Sequence, residues 1–490
     1  ALVGALVLGL SSVVYANVCA FDPVPAASLL FPFVAYDFTG TTATNTLFAI
    51  TNVSSEAQIV HVTIWSDYSF PVLDFNIVLS GYDVQTVNIR DILRDGDLPV
   101  TGTAGDLVVW GDQPIYDGPV SHGDGLWLDM ILDAPEDTSA LALRCPSNGA
   151  AYPGNYAGGL QQDDIDTLTF YFTASQASTK LHDDCAGNTY PLTPADWWEL
   201  RDDTMVSWMY ITADVVWECN RLFPDQPAYW TDQALYDNVL MGDVFWVDDV
   251  ANFSEADNAV HLEADLQIAN VATLDGAGLP ITFYYRYSTR NLVTPDYREP
   301  LPTAWAFRYI GVDAPGMDTH LRVWKGSTFS QNIADLYVPG GFTGLYLAYD
   351  CLAYTYWAWD EDEGVSTIDE SPWSIPGIVN VYPNLLPLET QEVSADEFNT
   401  PNASDGWFLF VWPNSNFDSI GTAPAPADWY QTWMGVKYSA FEKFSSHITA
   451  TVMANFNCFS DQVLPNLGVN YDYVDATGYV TSPAYLGPRP

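Results

Sequence analysis

Alternation at period two dominates the chain. Val260, Leu262, Ala264, Leu266 and Ile268 fall on one side of an extended run, and His261, Glu263, Asp265 and Gln267 on the other. Phe75, Ile77 and Leu79 alternate with Asn76, Val78 and Ser80, and Leu168, Phe170 and Phe172 alternate with threonines and a tyrosine. Successive side chains of a strand point to opposite faces, so each run predicts a strand with one face in a core. The aromatic run Tyr354-Thr355-Tyr356-Trp357-Ala358-Trp359 reads as a further strand. Glycine, proline, asparagine and aspartate punctuate these runs, as turns require. Helical signals are short. The best is Thr193-Pro194-Ala195-Asp196, an N-cap, a proline at the first helical position and an acid in the first turn. The pattern predicts an all-β chain with short helices in its loops.

Short matches then recur in the same order. Gln85-Thr86-Val87 followed by Asp91-Ile92 returns as Gln391-Glu392-Val393 followed by Glu397-Phe398. Ala104-Gly105-Asp106 before Val109-Trp110 returns as Ala403-Ser404-Asp405 before Val411-Trp412. Pro194-Ala195-Asp196-Trp197-Trp198 returns as Pro426-Ala427-Asp428-Trp429-Tyr430, and Ile211-Thr212-Ala213-Asp214-Val215 as Ile448-Thr449-Ala450-Thr451-Val452. The series predicts tandem duplicated β-sandwich domains at 22–226 and 304–462, with Ile211 equivalent to Ile448. Residues 227–303 form a strand-rich intermediate region that completes one sandwich or stands alone, and 463–490 an extended, proline-spaced tail. The architecture resembles that of secreted immunoglobulin-like sandwich proteins, a likeness of fold that transfers no function.

No charged residue occurs from Ala1 to Phe21. The run ALVGALVLGLSSVVYA resembles the apolar region of a signal peptide, and export to the cell surface or beyond is expected. Both alternating sets in it are apolar, as in a strand buried on both faces. Leu2, Val3, Leu6, Val7, Leu8 and Leu10 are therefore the candidate assembly residues. They would add a strand to an open sheet edge of a neighbouring copy, or anchor in a membrane if 1–21 formed a helix. The valines favour the strand, and Gly4 and Gly9 weaken the helix.

Composition narrows the partners. Acidic residues number 62 against 15 basic ones, a formal charge of −47. Nucleic acid is bound through lysine and arginine, so it is excluded as the main partner, as is docking on anionic lipid through a basic patch. With 48% hydrophobic, 14% aromatic and 16% charged residues, the chain is far from the composition of disorder. Six cysteines without a CxxC pair point to an oxidising compartment and away from zinc ribbons; Cys351 and Cys458 are the expected disulfide.

Chemistry-bearing motifs are sparse. His61, His261 and His447 lie on polar strand faces and read as solvated or cross-strand residues before they read as ligands. No GxSxG elbow, P-loop or GxGxxG opens a helix after a strand, so no catalytic residue or cofactor is expected. Asp360, Asp362 and Glu363 form the densest acidic loop and are the candidate calcium ligands. Trp197, Trp198, Trp429 and Tyr430 would stack on sugar if the chain bound glycan, although duplicated packing residues would recur the same way. The expected function is a non-catalytic extracellular structural subunit that polymerises head to tail with itself. The alternative is a glycan-binding or glycan-cleaving sandwich.

Overall fold

The computed structural model describes residues 23–38, 44–67, 71–99, 181–183, 189–191, 206–219, 222–224, 228–250, 252–264, 282–284, 296–302, 304–311, 316–327, 346–348, 354–360, 365–370, 386, 388–398, 400, 405–412, 430–440 and 443–452, with single positions between 160 and 172. Strands β1 (Ser28–Asp37), β2 (Thr44–Asn52), β3 (Gln58–Ser66), β4 (Pro71–Leu79) and β5 (Val84–Asn88) come first. The short strands β6 (Leu181–Asp183) and β7 (Thr189–Pro191) make a small separate sheet with β14 (Tyr346–Ala348). Then follow β8 (Val206–Val216), β9 (Leu240–Asp248), β10 (Phe253–Asn258) and β11 (Val260–Leu262). The remainder are β12 (Ala304–Ile310), β13 (Asp318–Ser327), β15 (Tyr354–Asp360), β16 (Val365–Glu370), β17 (Thr390–Ser394), β18 (Asp405–Val411), β19 (Tyr430–Ala440), β20 (Phe444–Thr449) and β21 (Thr451–Val452).

These strands build two sandwiches of antiparallel sheets. The first has a five-stranded sheet, β11-β1-β8-β3-β4, and a four-stranded sheet, β10-β9-β2-β5. The second has β21-β12-β18-β15-β16 and β20-β19-β13-β17. Read along the chain, the two orders are the same, strand for strand. Residues 240–262 of the intermediate region thus supply three strands to the first sandwich.

Non-local hydrogen bonds repeat with the topology. The Thr46 hydroxyl of β2 crosses to β1, accepting from Ala35 N at 3.0 Å and donating to Ala35 O at 3.0 Å. The Thr319 hydroxyl of β13 does the same for Ile310 of β12, at 3.0 and 2.7 Å. Trp246 Nε1 donates to Phe33 O at 3.0 Å, and Tyr438 OH donates to Arg308 O at 2.8 Å. Where the chain passes from β10 to β11, Ala259 N donates to Gly242 O at 2.9 Å; from β20 to β21, Ala450 N donates to Met434 O at 2.9 Å. With Thr46 set against Thr319, Phe48 falls on Leu321, and their partners are Val87 and Val393. The match between Gln85-Thr86-Val87 and Gln391-Glu392-Val393 therefore lies on corresponding strands in one register. Each strand leads into a short helical turn, with Ile92 and Phe398 buried.

Two expectations fail in detail. Ile211 lies in β8, in the middle of a five-stranded sheet, whereas Ile448 lies in β20, at the edge of a four-stranded one. The residue in the place of Ile211 is Phe408 of β18, because each faces the corresponding residue of the first strand, Phe31 or Phe307. Leu168 and Phe172 are helical, not extended. Ile165, Leu168 and Phe172 are all buried, and their steps of three and four are those of a helix face; only the step of four, from Leu168 to Phe172, also fits period two.

Every residue of β1 and of β3 is buried, while β9 alternates between buried and exposed. A strand becomes apolar on both faces when something covers its outer side. Here the cover is the second sandwich together with the segments around Tyr229 and Tyr284.

The paired threonines make a direct test. Thr46→Val and Thr319→Val each remove two hydrogen bonds between sheets while keeping volume. Each should cost about 1–3 kcal/mol, read as a lower midpoint in urea unfolding.

Candidate functional site

The second sandwich turns the outer side of its four-stranded sheet toward the first. On β13, Leu321 and Val323 point into its own core, so Arg322 and Trp324 point out. Trp324 sets its edge on Tyr210 of β8, ring centroids 5.8 Å apart, and Thr390 of β17 donates to Pro32 O at 2.8 Å. Arg322 lies over the rings of Phe33 and Trp246, at 4.9 and 4.5 Å.

Around Arg322 a polar cluster fills the joint. Its guanidinium pairs with Glu255 of β10 at 2.7 Å and Glu392 of β17 at 2.8 Å. Lys437 and His320 approach Glu392 from the same sheet, both at 3.5 Å. His447 of β20 meets Asp257 of β10 at 3.0 Å through Nε2, and Arg322 at 3.2 Å through Nδ1. Ser445 donates to Glu255, and Thr449 to Asp257. An arginine only donates, so His447 Nδ1 accepts and its proton sits on Nε2, facing Asp257. Both ring nitrogens are committed, and the imidazole has no free lone pair for a substrate.

The charges settle accordingly. Burial raises the Glu392 carboxyl, but Lys437, Arg322 and His320 together outweigh it and hold the group well below the ordinary carboxylate range. Burial likewise opposes ionisation of Asp257, and hydrogen bonds from His447 and Thr449 leave it below its usual value. Burial lowers His447; the bond to Asp257 works against this, and the charge on Arg322 adds to it.

A second buried network sits on the outer side of β1 and β8. Asp214 accepts from Ser28 and from the hydroxyls of Tyr229 and Tyr284. Arg298 bonds Ser28, Asp296 at 2.8 Å and the carbonyl of Leu235 at 3.1 Å, and lies against the rings of Tyr236, Tyr284 and Trp230. Burial and the neighbouring Asp214 carboxylate push both Tyr229 and Tyr284 well above the usual phenol range. Ser28, Asp214, Tyr229, Tyr284, Asp296 and Arg298 are all buried, so the network ties segments together.

The residues nominated from sequence are mostly elsewhere. Leu2, Val3, Leu6, Val7, Leu8, Leu10, Cys351, Cys458, Trp197, Trp198, Trp429, Asp362 and Glu363 lie outside the described residues. Asp360 ends β15 half-buried, and Tyr430 opens β19. Among the described residues no group of three or more His, Cys, Asp and Glu side chains is placed to hold a metal ion, and no helix is long and apolar enough to cross a membrane. His61 is buried and bonds its cross-strand neighbour Asn76 at 3.1 Å. His447 is buried between sandwiches, a placement its alternating strand gave no means to anticipate.

Comparison with protein-family models, curated proteins and solved structures finds no match. The reading of function rests on the joint itself.

His447 is neutral when folded, with its affinity for protons lowered. The unfolded chain therefore takes up a proton near pH 6.5 that the folded chain does not, and stability falls as pH drops through that value. His447→Gln should flatten the dependence of urea midpoint on pH between 7 and 5 at fixed salt. Equal slopes in both proteins would remove the histidine from this role.

Proposed function

We propose that this chain is a non-catalytic structural protein of the cell exterior, a self-assembling subunit of a filament, sheath or surface layer. One observation carries the reading: two sandwiches of one strand order meet through unlike faces. The first offers the outer side of its five-stranded sheet with the adjoining end of β10, and the second the outer side of its four-stranded sheet. A joint between unlike faces leaves each partner's other face free, and such head-to-tail contacts build open arrays unless the rotation closes a ring. The sandwiches are then copies of one unit, already joined once within the chain. Their immunoglobulin likeness goes as far as two packed antiparallel sheets. An immunoglobulin domain keeps its first two strands in one sheet, whereas β1 and β2 lie in opposite sheets here.

A charge of −47 with few bases fits an exterior rich in salt or divalent cations, which screen repulsion between copies. The apolar 1–21 segment fits export, and it offers a second way to join copies by adding a strand to a neighbour.

The full chain, purified and imaged over a range of concentrations, should form linear or sheet-like arrays that grow with concentration. Monodisperse single copies throughout, by imaging and sedimentation, would overturn the reading. Removing residues 1–21 should leave folded copies; loss of arrays would assign the contact to that segment.

A further inference from the structure

The strand correspondence allows each half of the internal joint to be compared with its unused counterpart. Ladder registers match Arg322 with Ala49, Glu392 with Thr86, Lys437 with Phe245 and His447 with Ala256 on the four-stranded sheet of the first sandwich. On the receiving side they match Glu255 with Ser446, Asp257 with Ile448, Tyr210 with Trp407 and Trp65 with Trp359. Trp65 and Tyr210 are stacked and buried under the second sandwich. Trp359 and Trp407 are stacked the same way, and Trp407 remains 37% exposed.

At these positions both unused faces are uncharged where the used ones are charged, and they change together. The pair Arg322–Glu255 becomes Ala49 and Ser446. The pair His447–Asp257 becomes Ala256 and Ile448. Eight large hydrophobic side chains are exposed among the described residues. Five lie on these two faces: Val84 and Phe245 on one, Trp407, Phe444 and Ile448 on the other. Exposed apolar groups gathered in this way mark an interaction surface. Two surfaces that lose opposite charges at facing positions are complementary to each other.

We infer that copies of this chain join by repeating the internal joint: the second sandwich of one copy, at Trp407, Phe444 and Ile448, receives the four-stranded sheet of the next copy's first sandwich, at Val84, Phe245 and Ala256. The occupant is a second copy because the internal joint already fits these corresponding surfaces together. The inference rests on the self-assembly reading above and names its contact.

Ala256 and Ile448 are both exposed on edge strands, so charges there leave folding intact. Full-length Ile448→Asp alone and Ala256→Lys alone should each shift the concentration for assembly at least tenfold upward, measured by light scattering and sedimentation. An equimolar mixture should assemble near the native concentration, because Asp of one copy then faces Lys of the next, as Asp257 faces His447 within the chain. Circular dichroism melts matching the native chain show that both variants fold. Single variants that assemble like the native chain, or a mixture that stays dispersed, overturn this contact while self-assembly stands. A native chain that never assembles overturns both.

Discussion

Arg322 is the contact on which the relation between the two sandwiches depends. One guanidinium holds a carboxylate from each, Glu255 from the first and Glu392 from the second, and covers two aromatic rings of the first. Its planar fork serves both acids at once, which a lysine ammonium could not do with the same geometry. Losing one member of such a buried set costs about 3–5 kcal/mol, since an uncompensated charge stays behind. With only 15 basic residues in the chain, each buried base is an allocation. Arg298 repeats the arrangement, meeting Asp214 and Asp296 beneath the loops that cover β1 and β8. The two arginines hold the two parts of one cover over the first five-stranded sheet.

A buried ionic network is weak evidence of raw stability, because desolvation offsets much of the attraction. It does fix register. Arg322 and His447 sit on β13 and β20, two strands of one sheet separated by β19, and Glu255 and Asp257 on one strand of another sandwich, so a slip of one residue leaves all four unpaired. Within a chain, tethering supplies a high effective concentration, and specificity can be had at small net affinity. Contact between separate copies has no such help. It must overcome lost translational and rotational freedom with apolar burial. The unused faces, with Phe245, Phe444 and Ile448, have the composition that second situation requires.

Sequence pattern revealed the all-β character, and its matched segments Gln85-Thr86-Val87 and Gln391-Glu392-Val393 fall on strands that pair with like-placed neighbours. It misassigned Ile211 and Ile448 because any half-buried strand tolerates alternating Ile, Ala and Val, so such a match carries little information. Leu168 and Phe172 were ambiguous for the reason that two and four residues apart are both even steps. The continuous burial of β1 coincides with the apolar run Leu29-Leu30-Phe31, whereas β3 is interrupted by His61 and Thr63, and nothing local says what covers either strand. The joint was illegible because Arg322, Glu255 and His447 come together only through register and packing, and each alone is an ordinary polar position.

The two stacked aromatic pairs differ in a way that bears on how the free face behaves. Under the second sandwich, Trp65 and Tyr210 lie with centroids 5.6 Å apart, and the edge of Trp324 approaches Tyr210 from outside. At the free face, Trp359 and Trp407 close to 4.0 Å with planes 9° apart. Two rings at that separation shield one face each from water and restrict each other's rotamers. Trp359 is further held through its carbonyl, which accepts from Tyr309 OH at 3.1 Å, and Gly406 beside Trp407 leaves no room for a side chain against that carbonyl. The surface is therefore ordered before anything covers it. A sheet docking there, as proposed, would meet a rigid platform and lose little to the freezing of side chains, and a preorganised patch of modest area gains affinity on those terms.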